Sequence, residues 1–192
     1  MTQHVSTPGT NWNQLLEKLR DSRRQISLVV TGGGAGALKH CFCRAGASRT
    51  FVEAVIPYSR AALIEYLGCP PSDSSASGPV AKQLASVALE RAGRLGDDQT
   101  DALPPVGIAL VAALPTTPRR RGGDRIHVAL QTRQGGRLWS LELTKDAYTR
   151  QQAEAIADEM IRYAMAALFG PEPDDSFFRD ADLSLETIRF EI

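Results

Sequence analysis

Three long stretches of the chain carry apolar residues at the spacing of an α-helix. They are NWNQLLEKLRDS near the start, GPVAKQLASVALERAGRLG in the middle and RQQAEAIADEMIRYAMAALFG toward the end. Asn11 is placed to cap the first stretch, and Ser77 is placed to cap the second. Each stretch keeps one apolar face; we expect the first helix to cover an apolar surface and the second to pack on the sheet.

Apolar runs and alternating patterns predict five β-strands between these helices. The stretches concerned are, in chain order, RQISLVVT, FVEAVIPYS, VGIALVAAL, RIHVALQT and RLWSLELT. The third is apolar throughout, as is typical of a central strand that is covered on both faces. The last two alternate on either side of RQGG, which predicts a hairpin with one buried face.

Two shorter helices complete the pattern, AGALKHCFCRAG after the first strand and RAALIEYLG after the second. Strands and helices in this order predict an α/β fold: a three-layer α/β/α sandwich with a mixed, partly parallel sheet. We expect one domain over residues 11–170, preceded by a flexible N-terminus at residues 1–10. The acidic tail at residues 171–192 contains LETIRFEI, which is either an added edge strand or a partner-binding arm.

The composition is that of a globular protein without a strong charge bias. Hydrophobic residues make up 43% of the 192 positions, and 22 basic residues balance 22 acidic ones. There is therefore no electrostatic case for nucleic acid as a partner. No apolar stretch approaches the roughly 20 residues of a membrane span, and MTQHVSTPGTNW lacks the pattern of a signal peptide. We expect a cytoplasmic protein that binds neither nucleic acid nor membrane.

The three cysteines, Cys41, Cys43 and Cys69, are too few for a disulfide framework. The sequence HCFC invites a metal-site interpretation. However, Cys41 and Cys43 fall on a predicted helix, where residues two apart point in different directions. Buried free thiols explain the pair better, so we expect no metal and no cofactor.

The stretch SLVVTGGGAGALKH places three glycines between a strand and a helix. Free N–H groups at such a turn can bind an anion, and this is one explanation for Gly32, Gly33 and Gly34. The alternative is that the glycines only allow a tight turn and close packing of helix on sheet. Neither the dinucleotide fingerprint nor the phosphate-loop motif is present, so both explanations stay open.

The order of short motifs resembles the C-terminal domain family of CinA, the nicotinamide-nucleotide amidohydrolases. TGGGAGAL stands for the family's ESCTGG turn, AGAS for PGSS, VIPYSRAALIEYLG for VTYSNEAKIELLG, SASGPVA for VSEEVA and VGIALVAAL for VGLAVTGIAG. The resemblance covers residues 10–170 and is greatest to a branch with a TGGG turn and PYSRAAL. It implies the CinA C-terminal fold and, for the family, removal of the amide of nicotinamide mononucleotide.

The resemblance also indicates that the reactive groups of the family have been replaced. The serine nucleophile of ESCTGG falls at Val29, and the lysine that could serve as its base falls at Leu63. The family's threonine in VTGIAG falls at Val111, and the glutamate of ESC falls at Leu28. Because nucleophile and base each depend on the other, losing both removes the covalent route.

Other positions match the family and suggest a surviving pocket for a nucleotide or another phosphate-bearing molecule. The candidate ligand-binding residues are Thr31, Gly32, Gly33, Gly34, Ser48, Arg49, Tyr58, Ser59 and Arg150. Loop arginines around PTTPRRRGGD are further candidates. We expect Thr31, Gly33, Ser48, Tyr58 and the end of the strand at residues 111–114 to line a single concave surface.

Three functions are compatible with this pattern. The first is a CinA-like module that lacks amidohydrolase activity and retains a nucleotide or phosphate pocket. The second is an active amidohydrolase in which Thr31 replaces the nucleophile and Tyr58 acts as acid and base, which requires a nearby cation. The third is an oligomeric scaffold without a ligand. We favour the first, and we expect a homo-oligomer.

Overall fold

The computed structural model describes residues 12–96, 104–170 and 173–191. Its helices are α1 Trp12–Asp21, α2 Gly36–Phe42, α3 Arg60–Leu67, α4 Gly78–Leu95, α5 Arg150–Ala166 and α6 Ser176–Asp180. Its strands are β1 Ile26–Thr31, β2 Phe51–Val55, β3 Val106–Ala113, β4 Asp124–Thr132, β5 Gly135–Leu143 and β6 Glu186–Phe190. The expected cap at Asn11 and the expected flexible N-terminus lie outside the described residues.

Six strands form one mixed sheet in the order β2-β1-β3-β4-β5-β6. The first three are parallel, and the remaining pairs are antiparallel. The expected hairpin is β4–β5, closed by a two-residue loop at Arg133 and Gln134. The partly parallel α/β sheet expected from the sequence is therefore confirmed.

Helices cover both faces of the sheet, which gives the three expected layers. On one face, α1, α2 and α5 pack on a large core that includes Leu28, Leu110 and Ile161. On the other face, α3 and α4 pack on a smaller core that includes Val29 and Leu84. Strands β1 and β3 are buried along their whole length because they lie in the middle of the sheet.

Side-chain caps fix where the helices begin. Ser59 accepts the N–H of Ala62 at the start of α3, and Ser77 accepts the N–H of Val80 at the start of α4. Thr149 forms a capping box with Gln152 at the start of α5. These caps hold the helix starts beside the ends of the strands, where the candidate site was expected.

The tail folds back onto the sheet. Phe178 of α6 is buried against Tyr163 of α5, and β6 pairs antiparallel with β5 at the edge of the sheet. The outer side of β6 faces no other strand of the described chain. None of the helices in the described ranges combines the length and apolar character needed to cross a membrane, and the cytoplasmic location stays a prediction from the sequence.

Candidate functional site

The glycine turn joins the end of β1 to α2 and lies tightly against the end of β3. Gly32 and Gly34 both have φ of +80°, a conformation that side chains rarely adopt. A Cβ on Gly32 would overlap the carbonyl oxygen of Ala112, and one on Gly33 would press on Leu114. The turn therefore needs glycine both for its conformation and for close approach to the neighbouring strand.

Carboxylates from α5 already occupy the N–H groups that follow this turn. The N–H of Gly34 donates to Oε2 of Glu154 at 2.7 Å, and the N–H of Ala37 donates to Oδ1 of Asp158 at 2.8 Å. Asp158 also accepts the N–H of Gly36, at which a Cβ would overlap the carboxylate. The N–H groups of Gly34, Gly36 and Ala37 are thus satisfied by carboxylates of the chain itself.

Arg150 lies beside the turn but is engaged with protein groups. Its Nε and Nη2 donate to Oε1 of Glu154 at 2.9 and 2.7 Å. The same guanidinium donates to the carbonyls of Gly32 at 3.1 Å and Pro115 at 3.3 Å, so it ties the end of β1 to the segment after β3. Its arrangement is that of a positioning residue, which orients Glu154 toward Gly34.

The Asp158 carboxyl is partly withdrawn from water between α5 and α2. Burial raises its pKa to about 6, and the nearby Glu154 carboxylate acts in the same direction, while the N–H groups of Ala37 and Gly36 oppose the shift. Between about pH 4 and pH 6, a larger fraction of this carboxyl is therefore protonated than of an ordinary aspartate.

The two candidate catalytic residues, Thr31 and Tyr58, lie at the same end of the strands as the glycine turn. The Thr31 hydroxyl is buried and donates to the carbonyl of Pro57 at 3.1 Å. Tyr58 follows Pro57 and is 73% exposed, with no side-chain partner in the described ranges. Ser59 uses its hydroxyl to cap α3. Thr31 therefore has a carbonyl beside it where a nucleophile needs a base.

Ser48 and Arg49 lie at the other end of the sheet, so the expectation that Ser48 shares one concave surface with Thr31, Gly33 and Tyr58 is wrong, and Arg49 is likewise distant from the glycine turn. They belong to a short 3-10 turn, Ala47–Arg49, that precedes β2. The first residue of β2 pairs with the first residue of β1, Ile26, and β1 then runs six residues, roughly 17 Å, to the glycine turn. Because β1 and β2 are parallel, the start of β2 and the glycine turn lie at opposite ends of the strands.

The positions where the resemblance places reactive groups are buried in the core. Val29, Leu63 and Val111 belong to the apolar cluster under α4 and are 0–2% exposed. Leu28 points to the opposite face and is also fully buried. Core side chains of the described residues therefore fill the positions to which the resemblance assigns a nucleophile and a base.

The loop arginines form ion pairs within the loop and with its surroundings. Arg119 pairs with Asp146, and Arg120 pairs with Asp124 at 2.7 Å while also donating to the carbonyl of Leu114. Lys145 donates to the carbonyl of Arg121 and to those of its two neighbours. Arg119 and Arg120 are thus committed to structure rather than held open for a ligand.

The cysteines are only partly as expected. Cys41 is buried, which raises the pKa of its thiol to about 12. Cys43 and Cys69 are exposed: Cys43 lies just beyond α2, which ends at Phe42, and Cys69 lies beyond the end of α3. Neighbouring His40 stacks on Trp12 with ring centroids 4.7 Å apart. Within the described ranges, no three His, Cys, Asp or Glu side chains are grouped to hold a metal ion.

Glu154 and Asp158 are the site residues that sequence reasoning missed. Both lie four residues apart on α5, in line with Arg150, and this polar stripe beside the apolar one is visible in the sequence. The sequence does not show that these carboxylates accept the N–H groups of the glycine turn, because a spacing of four residues is equally typical of a solvated helix face.

The arrangement of strands and helices is shared with proteins of known structure. No protein-family model matches the sequence, and no curated protein is significantly similar to it. Solved structures, however, match this chain over nearly the whole of their own length. CihA of Agrobacterium tumefaciens, a competence/damage inducible protein, superposes with a TM-score of 0.56 at 17% identity over 85% of this chain and 97% of its own. This chain has the CinA fold.

Two further CinA structures support the same conclusion. The Escherichia coli superfamily protein superposes with a TM-score of 0.58 at 14% identity, over 87% of this chain and 94% of its own. Competence damage-inducible protein A of Klebsiella pneumoniae gives 0.58 at 17% identity, over 83% and 95%. At such identities the CinA likeness establishes the fold, while activity has to be argued from the residues of the site.

Proposed function

We propose that the protein is a CinA-like module without nicotinamide-nucleotide amidohydrolase activity. The observation that carries the proposal is the burial of Val29, Leu63 and Val111 in one apolar cluster. A methyl group cannot attack an amide, and an aliphatic side chain cannot accept a proton. At these positions the family would have reactive groups, whereas here the side chains stabilise the fold. Burying one aliphatic side chain fully contributes about 1.5–3 kcal/mol to folding.

The glycine turn supports the same proposal. Glu154 and Asp158 take the N–H groups that would meet a phosphate, and Arg150 is held by Glu154 and two backbone carbonyls. A nucleotide would have to displace both carboxylates and bring its own negative charge beside them. We therefore propose that no nucleotide binds at this turn.

An amidohydrolase with replacement groups has less support. Thr31 donates its hydroxyl proton to the Pro57 carbonyl, which cannot act as a general base. Tyr58 has no cation among its described partners, and its ring is largely in solvent. Neither residue has the activated geometry that the reaction requires.

The test is an ammonia-release assay with nicotinamide mononucleotide at high enzyme concentration. The wild-type protein should release ammonia at the rate of a buffer blank, and so should Thr31→Val and Tyr58→Phe. Turnover in the wild type that either substitution abolishes would overturn the proposal and establish the replacement mechanism.

A homo-oligomer is proposed from the outer side of β6. Its residues are almost all exposed, with Ile188 48% exposed, and an open edge is a template for strand pairing. Light scattering should give a dimer for the wild type and a monomer for Ile188→Lys. Ile56 is 47% exposed and lies outside β6, so the control variant Ile56→Lys should stay dimeric. A monomeric wild type would contradict this.

A further inference from the structure

A cavity of about 340 Å³ lies at the end of the strands opposite the glycine turn. It is lined by α1, by the segment that runs from the end of α2 to the 3-10 turn, and by the start of β2. We call it the α1–β2 cavity. Its volume is at the lower end of the range of small-molecule sites, which runs from ~300 to ~1,000 Å³.

Thr50 brings a hydroxyl without a protein partner to this cavity. The residue is 3% exposed, and its backbone is fully used: its N–H donates to the carbonyl of Ala47, and its carbonyl accepts the N–H of Ile26. The hydroxyl makes no hydrogen bond to another residue that the structure describes, and its oxygen is not sealed from solvent. A ligand in the cavity can therefore take the place of water as its partner.

Two charges of opposite sign line the α1–β2 cavity from different elements. Glu17 comes from α1, and the half-buried Arg44 comes from the segment after α2. Neither forms an ion pair or a side-chain hydrogen bond within the described part of the chain, and they do not pair with each other. Arg20 also lines the cavity, but it pairs with Asp21 beside it on α1. One negative and one positive charge are thus left available to a ligand.

Most of the remaining lining is apolar. Leu16 of α1 and Phe51 of β2 are buried, and Cys41 is a buried thiol. Because burial raises the pKa of this thiol to about 12, it stays protonated and uncharged at neutral pH. A small aliphatic group can pack against these side chains, whereas a charged group placed against them would lose its hydration without gaining a partner.

We propose that the α1–β2 cavity binds a small zwitterion with an apolar side chain, which is the chemistry of an aliphatic α-amino acid. Arg44 binds the carboxylate, Glu17 binds the ammonium group, and the Thr50 hydroxyl forms a hydrogen bond with the same charged end of the ligand. A simple carboxylate would leave Glu17 unpaired beside a like charge, and a simple amine would do the same to Arg44, so the cavity discriminates against molecules with a single charge.

This site is independent of the proposed lack of amidohydrolase activity. Thr50 and Phe51 stand at the start of β2, at the opposite end of the strands from Thr31 and the glycine turn. Val29 belongs to the apolar cluster under α4 and does not line the α1–β2 cavity. An amino acid can therefore bind here whether or not the protein acts on a nucleotide.

Isothermal titration calorimetry with L-leucine, 4-methylpentanoate and isopentylamine tests the proposal on the wild-type protein. The three molecules share one branched carbon chain, and the last two lack the ammonium group and the carboxylate, respectively. Leucine should bind and raise the melting temperature. Each analogue should bind about tenfold more weakly or worse, because it loses a charge-assisted hydrogen bond and leaves one charge of the cavity beside a like charge.

Three variants assign the contacts. Glu17→Gln and Arg44→Gln should each weaken leucine binding about tenfold or more, and Thr50→Val, which keeps the shape of the side chain, should weaken it about threefold. Glu17→Gln should also bind 4-methylpentanoate more tightly than the wild type does, because the repelling carboxylate is gone. Loss of folding cannot produce that gain.

Arg49→Gln is the matched control, because it removes the same charge from the neighbouring 3-10 turn at an exposed residue that does not line the α1–β2 cavity. Its affinity for leucine should stay within about twofold of wild type, since salt screens an exposed charge. Equal losses in Arg49→Gln and Arg44→Gln, equal binding of leucine and its two analogues, or no binding of leucine at ~10 mM would each overturn the proposal. The comparison of the three ligands uses the wild type alone, so it stands even where a variant fails to fold.

Discussion

The backbone N–H of Gly34 donates a hydrogen bond to Oε2 of Glu154 at 2.7 Å, across 120 positions of sequence. Glu154 is itself fixed by two hydrogen bonds from Arg150, which also donates to the carbonyl of Gly32. One side chain of α5 therefore closes the turn that in a phosphate-binding protein would be open. The contact stabilises the turn and uses an N–H group that a bound anion would need.

Glu154→Gln should lower the free energy of unfolding by about 1–3 kcal/mol. An amide has one acceptor oxygen, so it cannot serve both Gly34 and Arg150 as the carboxylate does. Urea denaturation checks the loss. Glu65→Gln, an exposed position on α3, should change the midpoint by much less; equal shifts in the two variants would mean that the Gly34 contact is unimportant.

Asp158 should make stability depend on pH between about 4 and 6. Its folded pKa of about 6 lies above the ordinary 3.8, so the native state binds more protons in that window. Stability from this carboxyl is therefore greatest at low pH and falls as pH rises through 6. Asp158→Asn should remove that fall, because an amide does not titrate in this range.

Thermal unfolding of both proteins from pH 4 to pH 8 measures this effect. The difference between Asp158→Asn and wild type should grow with pH and level off above pH 7. A constant difference would show that the carboxyl titrates alike in the folded and unfolded chains.

Glu53 and Arg91 join the edge strand β2 to α4. Nε and Nη2 of Arg91 donate to the two carboxylate oxygens at 2.5 and 2.6 Å, and Ser27 donates at 2.8 Å. The Arg91 hydrogen bond is the main reason that the pKa of Glu53 is lowered. Arg91→Gln should cost about 1–2 kcal/mol at pH 7, a modest value because the pair is partly exposed.

The sign of the pH dependence is opposite to that of Asp158. A depressed folded pKa gives stability that is present above the ordinary value of 4.5 and is lost as pH falls. The gap between Arg91→Gln and wild type should therefore shrink below pH 4.5. Arg121→Gln, an exposed loop position, should leave stability unchanged at every pH; a loss as large as that of Arg91→Gln would refute the role of the pair.

Much of the fold could be predicted because its signals are local. The β-branched run before Gly32, the cap at Ser77 and the αL glycine at Gly68 each specify an element boundary within a few residues. The α6 turn was missed, since Ser176–Asp180 is too short to show a period.

The site was harder to predict because its contacts are distant in sequence. The glycines of the turn were recognised, but nothing local indicates that carboxylates 120 and 121 residues away satisfy their N–H groups. Ser48 and Arg49 were misplaced for another reason: motif order says nothing about which end of a sheet a loop occupies. The parallel pairing of β1 and β2 decides that.

The most direct test of this account follows the amide resonances of Gly34, Gly36 and Ala37 in ¹⁵N-labelled protein during titration with nicotinamide mononucleotide. Because Glu154 and Asp158 already accept these N–H groups, the three resonances should stay in place at millimolar nucleotide. Saturable shifts of all three would contradict the account, since they would show that the nucleotide displaces the carboxylates and occupies the turn.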